Sequence, residues 1–148
     1  MVRSRQFLKA NIENLLSLIS GSTANDESAA FSIDLLIRAV QDAKSNAKLF
    51  VDAGGFHYLA WLLARVDSAP DVGADTLLAR VRAADLAARV CEISQWYLDA
   101  AIEAGILGAL LSQICNREAT VRAAALSALI ACVDMLEEIA KVAPESFL

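Results

Sequence analysis

The sequence has little of what chemistry requires. It holds a single histidine, three cysteines, two prolines and six glycines in 148 residues. A Ser-His-Asp or Cys-His site would have to be built around His57, and no Ser or Cys motif supports that. His57 stands at a helix start, where a structural role in the first turn suffices. Cys91, Cys115 and Cys132 are odd in number and lack metal or redox spacing. They read as buried free thiols, in keeping with a reducing, intracellular and cytoplasmic setting. Gly54-Gly55 is followed by Phe56 rather than Gly-Lys-Ser, so it is no phosphate loop. Asp67, Asp71 and Asp75 are spaced by four and lack the alternating pattern of a calcium loop. The sequence therefore predicts no enzyme, no cofactor and no metal.

An excess of positive charge is also missing. The net charge is −5 and the isoelectric point about 4.8, which speaks against nucleic acid and anionic membranes as partners. No apolar leader opens the chain. The longest uncharged apolar runs, such as Ala123 to Val133, reach about half a membrane span.

What is abundant is helix-forming hydrophobic sequence. Hydrophobic residues make up 57% and charged residues 21% of a chain of single-domain size. Alanine and leucine together are roughly a third, which points to an all-α protein. Apolar residues recur at helical spacing, as in Leu59, Leu62, Leu63 and Val66. The pattern predicts helices near 5–20, 27–42, 45–53, 55–65, 75–93, 95–104, 106–115 and 118–134, with a short one near 135–143. Asp26 and Asn116 mark N-cap neighbourhoods. Gly54 and Gly105 mark sharp turns between helices.

The chain also repeats itself. Val81 to Val90 aligns with Val121 to Ile130 at an offset of 40, with six of ten residues identical. Val51 to Phe56 aligns with Ile102 to Leu107 at an offset of 51. The difference of 11 falls on an inserted loop at 66–76, rich in Asp with a Pro and a Gly. A fainter copy, Leu15 to Ile19 and Ala29 to Ser32, aligns with Leu110 to Ile114 and Ala124 to Ser127 at 95. This gives one domain over 1–148, with repeats at about 1–43, 44–94 and 95–134 and a partial repeat at 135–148.

Each unit is a short helix ending in Ala-Gly, a medium helix and a long Ala-rich helix. Asn46 to Leu63 and Gln95 to Ile114 resemble the first two helices of the armadillo repeat. Val121 to Leu129 also resembles the related HEAT repeat. The resemblance implies a right-handed α-solenoid of about three repeats, a non-catalytic scaffold that binds a protein. Importin-α members carry a Trp and Asn ladder on their third helices. Here the Trp positions are Ser32, Ala87 and Ser127, and the Asn positions Leu36, Cys91 and Ala131, so that ladder is absent. Leu35-Leu36, Asn46-Ala47-Lys48-Leu49-Phe50 and Gly54-Gly55 resemble the armadillo nucleotide-exchange factors of the seventy-kilodalton heat-shock chaperones. That implies, as an alternative, a cochaperone acting on a chaperone ATPase.

Candidate partner-binding residues come from comparing the copies. Trp61 stands where sister copies have Ser17 and Ser112, and Trp96 where another has Ser45. A position that accepts serine lies near the surface, so both tryptophans are candidate anchors. Arg82 and Arg89, with Arg80 and Arg122 stacked nearby, offer a basic strip for an acidic segment. The competing readings are an insertion folded over Trp61, Trp96 packed with Tyr97 between repeats, and ordinary helix-surface ion pairs. The open C-terminal end of the stack would expose apolar surface, which predicts that either a homodimer or further chain covers it.

Overall fold

The computed structural model describes residues 2–20, 25–65 and 73–142, and every regular element among these is a helix. In chain order they are α1 (Val2–Ser20), α2 (Asp26–Asp42), α3 (Lys44–Asp52), α4 (Gly55–Ala64), α5 (Ala74–Cys91), α6 (Gln95–Glu103), α7 (Ile106–Gln113) and α8 (Ala119–Val142).

The boundaries have local causes. Asn25 caps α2: its Oδ1 accepts from the Ser28 amide at 2.8 Å, while Ser28 Oγ accepts from the Asn25 amide at 2.9 Å. This reciprocal box satisfies two of the donors that a helix start leaves open. Only Ala43 separates α2 from α3. There Asn46 Nδ2 donates to the Ala39 carbonyl at 2.8 Å, answering an acceptor in the last turn of α2. Ala47 and Phe50, further along the same motif, are fully buried. Gly54 and Gly105 adopt φ of 81° and 87° in front of α4 and α7, a left-handed conformation that a Cβ disfavours. Gly55 answers a different need. A Cβ there would lie 2.3 Å from the ring of Phe50.

The packing has a period of three helices. α2 lies on α5 and α5 on α8; α1 lies on α4 and α4 on α7; α3 touches α6. The core runs through all of these contacts, from Ile12 and Leu16 through Leu36, Leu59 and Leu86 to Ala128 and Cys132. Gln113 ties two ranks together, its Nε2 donating to the Leu63 carbonyl at 2.5 Å in the interior.

Two boundaries differ from the sequence reading. The expected break between 118–134 and a separate helix at 135–143 does not exist, because α8 continues unbroken to Val142. Leu136 to Val142 therefore belongs to the same helix as Ala119 to Met135. The missing break has a simple cause: no glycine or proline stands between Ala119 and Val142. Consequently Ala119–Lys141 is long and apolar enough to cross a membrane by length and composition. Counting only uncharged runs stops at Asp134 and undervalues this helix. The expected loop at 66–76 is also shorter at its end, since α5 begins at Ala74 and contains Asp75 and Thr76. Residues 66–72, with Asp67 and Asp71, and residues 143–148 lie outside the described residues.

Candidate interaction surface

The long helices α2, α5 and α8 lie side by side, and their burial patterns superimpose. Ala30, Ile33 and Ile37 of α2 match Ala84, Ala87 and Cys91 of α5 and Ala125, Ala128 and Cys132 of α8, all buried. The offset of 95 between α2 and α8 holds in this register, whereas that between α5 and α8 is 41, not 40. At 40, the half-buried Val81, Asp85 and Ala88 would pair with Val121, Ala125 and Ala128, which are almost wholly enclosed.

This register defines an outward row on each helix. On α2 it is Phe31, Leu35 and Arg38; on α5 it is Asp85, Arg89 and Glu92; on α8 it is Leu126, Ile130 and Val133. Two ion pairs cover the middle of the surface. Arg82 Nε lies 3.0 Å from Asp34 Oδ1, linking α5 to α2, and Arg89 Nε donates to Asp85 Oδ2 at 3.0 Å within α5. Such half-exposed pairs contribute about 0–1 kcal/mol each. They give the surface fixed, alternating charge instead of a basic strip. At the carboxyl ends of α2 and α5 a cleft of about 340 Å³ is lined by Val40, Gln41, Lys44, Arg89, Glu92 and Ile93.

The remaining arginines do not join this surface as expected. Arg80 is buried, and its Nη2 donates to the Arg65 carbonyl at 3.0 Å. Arg122 is exposed but turns back on its own helix start, where Nη1 donates to the Asn116 and Arg117 carbonyls at 2.8 Å. Asn116 Oδ1 accepts from the Glu118 amide at 2.9 Å, so the predicted capping neighbourhood is real.

Both tryptophans are on the outside. Trp61 on α4 is 48% exposed, with the Arg65 guanidinium 5.5 Å from its ring centroid, a cation–π arrangement. Trp96 on α6 is 80% exposed while its neighbour Tyr97 packs on the core. Ser94 holds the turn before it, its Oγ accepting from the Trp96 amide at 3.1 Å. The tryptophans sit on the shorter helices, so they form no single patch with Arg82 and Arg89. Phe31, Leu126, Ile130 and Val133 are among the exposed apolar residues that repeat comparison missed, as are Leu78, Ile102, Leu111 and Leu136. For the first four the signal was present: the corresponding residues of α5 include the charged Asp85, Arg89 and Glu92.

A polar clasp brackets the insertion. Arg65 Nη2 donates to Asp26 Oδ1 at 2.5 Å, and the Thr76 hydroxyl donates to Asp26 Oδ2. Burial raises the Asp26 pKa. The hydrogen bonds from Arg65 and Thr76, with the charges of Arg65 and Arg80, outweigh this and hold the carboxyl below its ordinary value of 3.8. Cys91 and Cys132 meet in the α5–α8 contact, where the hydrogen bond between them and burial push the Cys91 thiol up. Cys115 is exposed, contrary to the buried reading. His57 is exposed in the first turn of α4. Among the described residues no three His, Cys, Asp or Glu side chains group to hold a metal ion.

Comparison with family models, with curated proteins and with solved structures returns no match for this chain.

Proposed function

We propose that this chain is a non-catalytic armadillo-like module, an α-solenoid of about three repeats that binds a protein partner across the outward rows of α2 and α5. The observation that carries the reading is the recurrence of three buried positions at matching places on α2, α5 and α8, beside outward rows of differing chemistry. A stack of this kind keeps its buried positions uniform and places specificity on the surface. Phe31, the Arg82–Asp34 bridge and the cleft beside Arg89 then offer an apolar anchor beside fixed charges. Trp61 and Trp96 are additional anchors on other faces.

The test is capture from a cell lysate with the wild-type chain as bait, beside Phe31→Ala/Arg89→Glu and Trp61→Ala/Trp96→Ala baits. A partner retained by the wild type and lost with Phe31→Ala/Arg89→Glu supports the reading. Equal recovery on that bait and the wild type overturns the assignment to α2 and α5. The cochaperone alternative rests on the Asn46 to Phe50 and Gly54-Gly55 resemblance and has its own measurement. Faster ADP release from a seventy-kilodalton heat-shock chaperone, with binding to its nucleotide-free ATPase domain, would identify the partner. Absence of both removes that alternative.

A further inference from the structure

The outward row of α8 differs in kind from its counterpart on α5. Asp85, Arg89 and Glu92 correspond to Leu126, Ile130 and Val133, which are 50%, 52% and 51% exposed. The stacking face changes in the opposite sense. Leu86 and Val90 are fully enclosed on α5, and their α8 counterparts are Ser127 and Ala131. The bulk has moved instead to the row that points outward, which contiguous apolar exposure marks as an interaction site.

We propose that this row is a homodimer seam, in which α8 packs antiparallel against α8 of a second copy. The row advances by four, three and four residues from Leu126 through Ile130 and Val133 to Glu137, the spacing that keeps one helix face against a partner helix. It is also self-complementary. With the two-fold axis between Leu129 and Ile130, Leu126 of one copy meets Val133 of the other, and Arg122 meets Glu137. Each pairing occurs twice, as an isologous contact requires. A head-to-tail contact has no such match, because the outward row of α2 ends in Arg38. A membrane fits less well. Asp134, Glu137 and Glu138 flank the row, and Val121, Ala125, Ala128 and Cys132 bind the opposite side of α8 into the core.

The test is the mass of the full chain in solution by sedimentation, from low to high micromolar concentration. The expected result is a dimer that Ile130→Glu weakens at least about tenfold, as for a central interface residue. Circular dichroism of that variant should be unchanged, and so should its melting temperature at concentrations where both proteins are monomeric, because Ile130 lies outside the core. Arg122→Glu and Glu137→Arg should each weaken the dimer, and the two together should restore it. In a Cys115→Ser background, Ile130→Cys should form an interchain disulfide with diamide, the two thiols being oxidised and the diamide reduced to its hydrazine. A wild type that is monomeric at every concentration overturns the proposal, as does a dimer indifferent to Ile130→Glu. So does a monomer that floats with phosphatidylcholine vesicles, which would assign the row to a lipid surface.

Discussion

Helices α5 and α8 are built on one pattern and face different surroundings. Both bury a shared set of positions, with Ala84, Ala87 and Cys91 of the first answering Ala125, Ala128 and Cys132 of the second. Their outward rows share geometry but not chemistry, charged on α5 and aliphatic on α8. The inner face of such a helix is set by what packs on it, and the outer face is free of that constraint. A second comparison, one rank further in, shows how the stack absorbs change. Phe50 and Gly55 occupy the positions that Ala101 and Ile106 occupy in the next copy, all four buried. A large ring over a bare backbone in one layer becomes a methyl beside a branched side chain in the next, so the space is filled from opposite sides.

That exchange yields the largest predicted effect. Phe50→Ala should destabilise the fold by about 3–5 kcal/mol, as expected for an emptied aromatic site, measured by urea denaturation. Gly55→Ile alone should be as damaging or worse, because even a Cβ lies 2.3 Å from the ring. Combining the two copies the Ala101/Ile106 solution and should be less damaging than the sum of the single changes. Strict additivity would mean that positions 50 and 55 do not share one space.

The clasp at Asp26 comes next and belongs to α2 alone, since Arg80 and Val121 occupy the matching positions on α5 and α8. Because the folded carboxyl titrates below 3.8, the unfolded chain binds the extra proton as the pH falls. The contribution of Asp26 is therefore complete above that ordinary value and disappears as the pH drops through the lower, folded one. Asp26→Asn should lower stability by about 1 kcal/mol near neutral pH, allowing for partial exposure. The difference from wild type should vanish in acid, as thermal melts across pH would show. A deficit unchanged at low pH would place the effect in packing instead of charge.

The smallest effect sharpens the contrast between the outward rows. Asp85→Leu/Arg89→Ile rewrites α5 in the manner of α8. It removes a surface ion pair and should change stability by less than about 1 kcal/mol. By sedimentation the variant should self-associate more strongly than wild type, because it enlarges the exposed apolar surface.

Much of the helix order was legible in the sequence, because Gly54 and Gly105 punctuate it and apolar spacing fills the intervals. The register between α5 and α8 was not. Val-Arg-Ala-Ala at 81 and 121 invites an offset of 40, but alanine favours helix on every face, and a run of alanines fixes no rotation. The cysteines settle it: Cys91 and Cys132 share a buried contact, 41 residues apart. The same slip concealed the outward row of α8, since an error of one residue turns a helix by about 100°. Trp61 and Trp96 were legible as surface residues because their sister copies carry serine. The fate of Arg80 was not, because its place in the interior depends on the Arg65 carbonyl at the far end of α4.

The clasp on Asp26 has an evolutionary reading. Arg65 precedes residues 66–72 and Thr76 lies beyond them in the first turn of α5, and one carboxylate at the start of another helix holds both. The ends are fixed in place without reference to what lies between them. The entropic cost of closing such a segment rises only as the logarithm of its length. The helices on either side need not register how many residues are added or removed. Lineages descended from this sequence can try new material at that point while the stacked helices inherit their contacts unaltered, and an engineer seeking a place to splice a reporter would choose the same one.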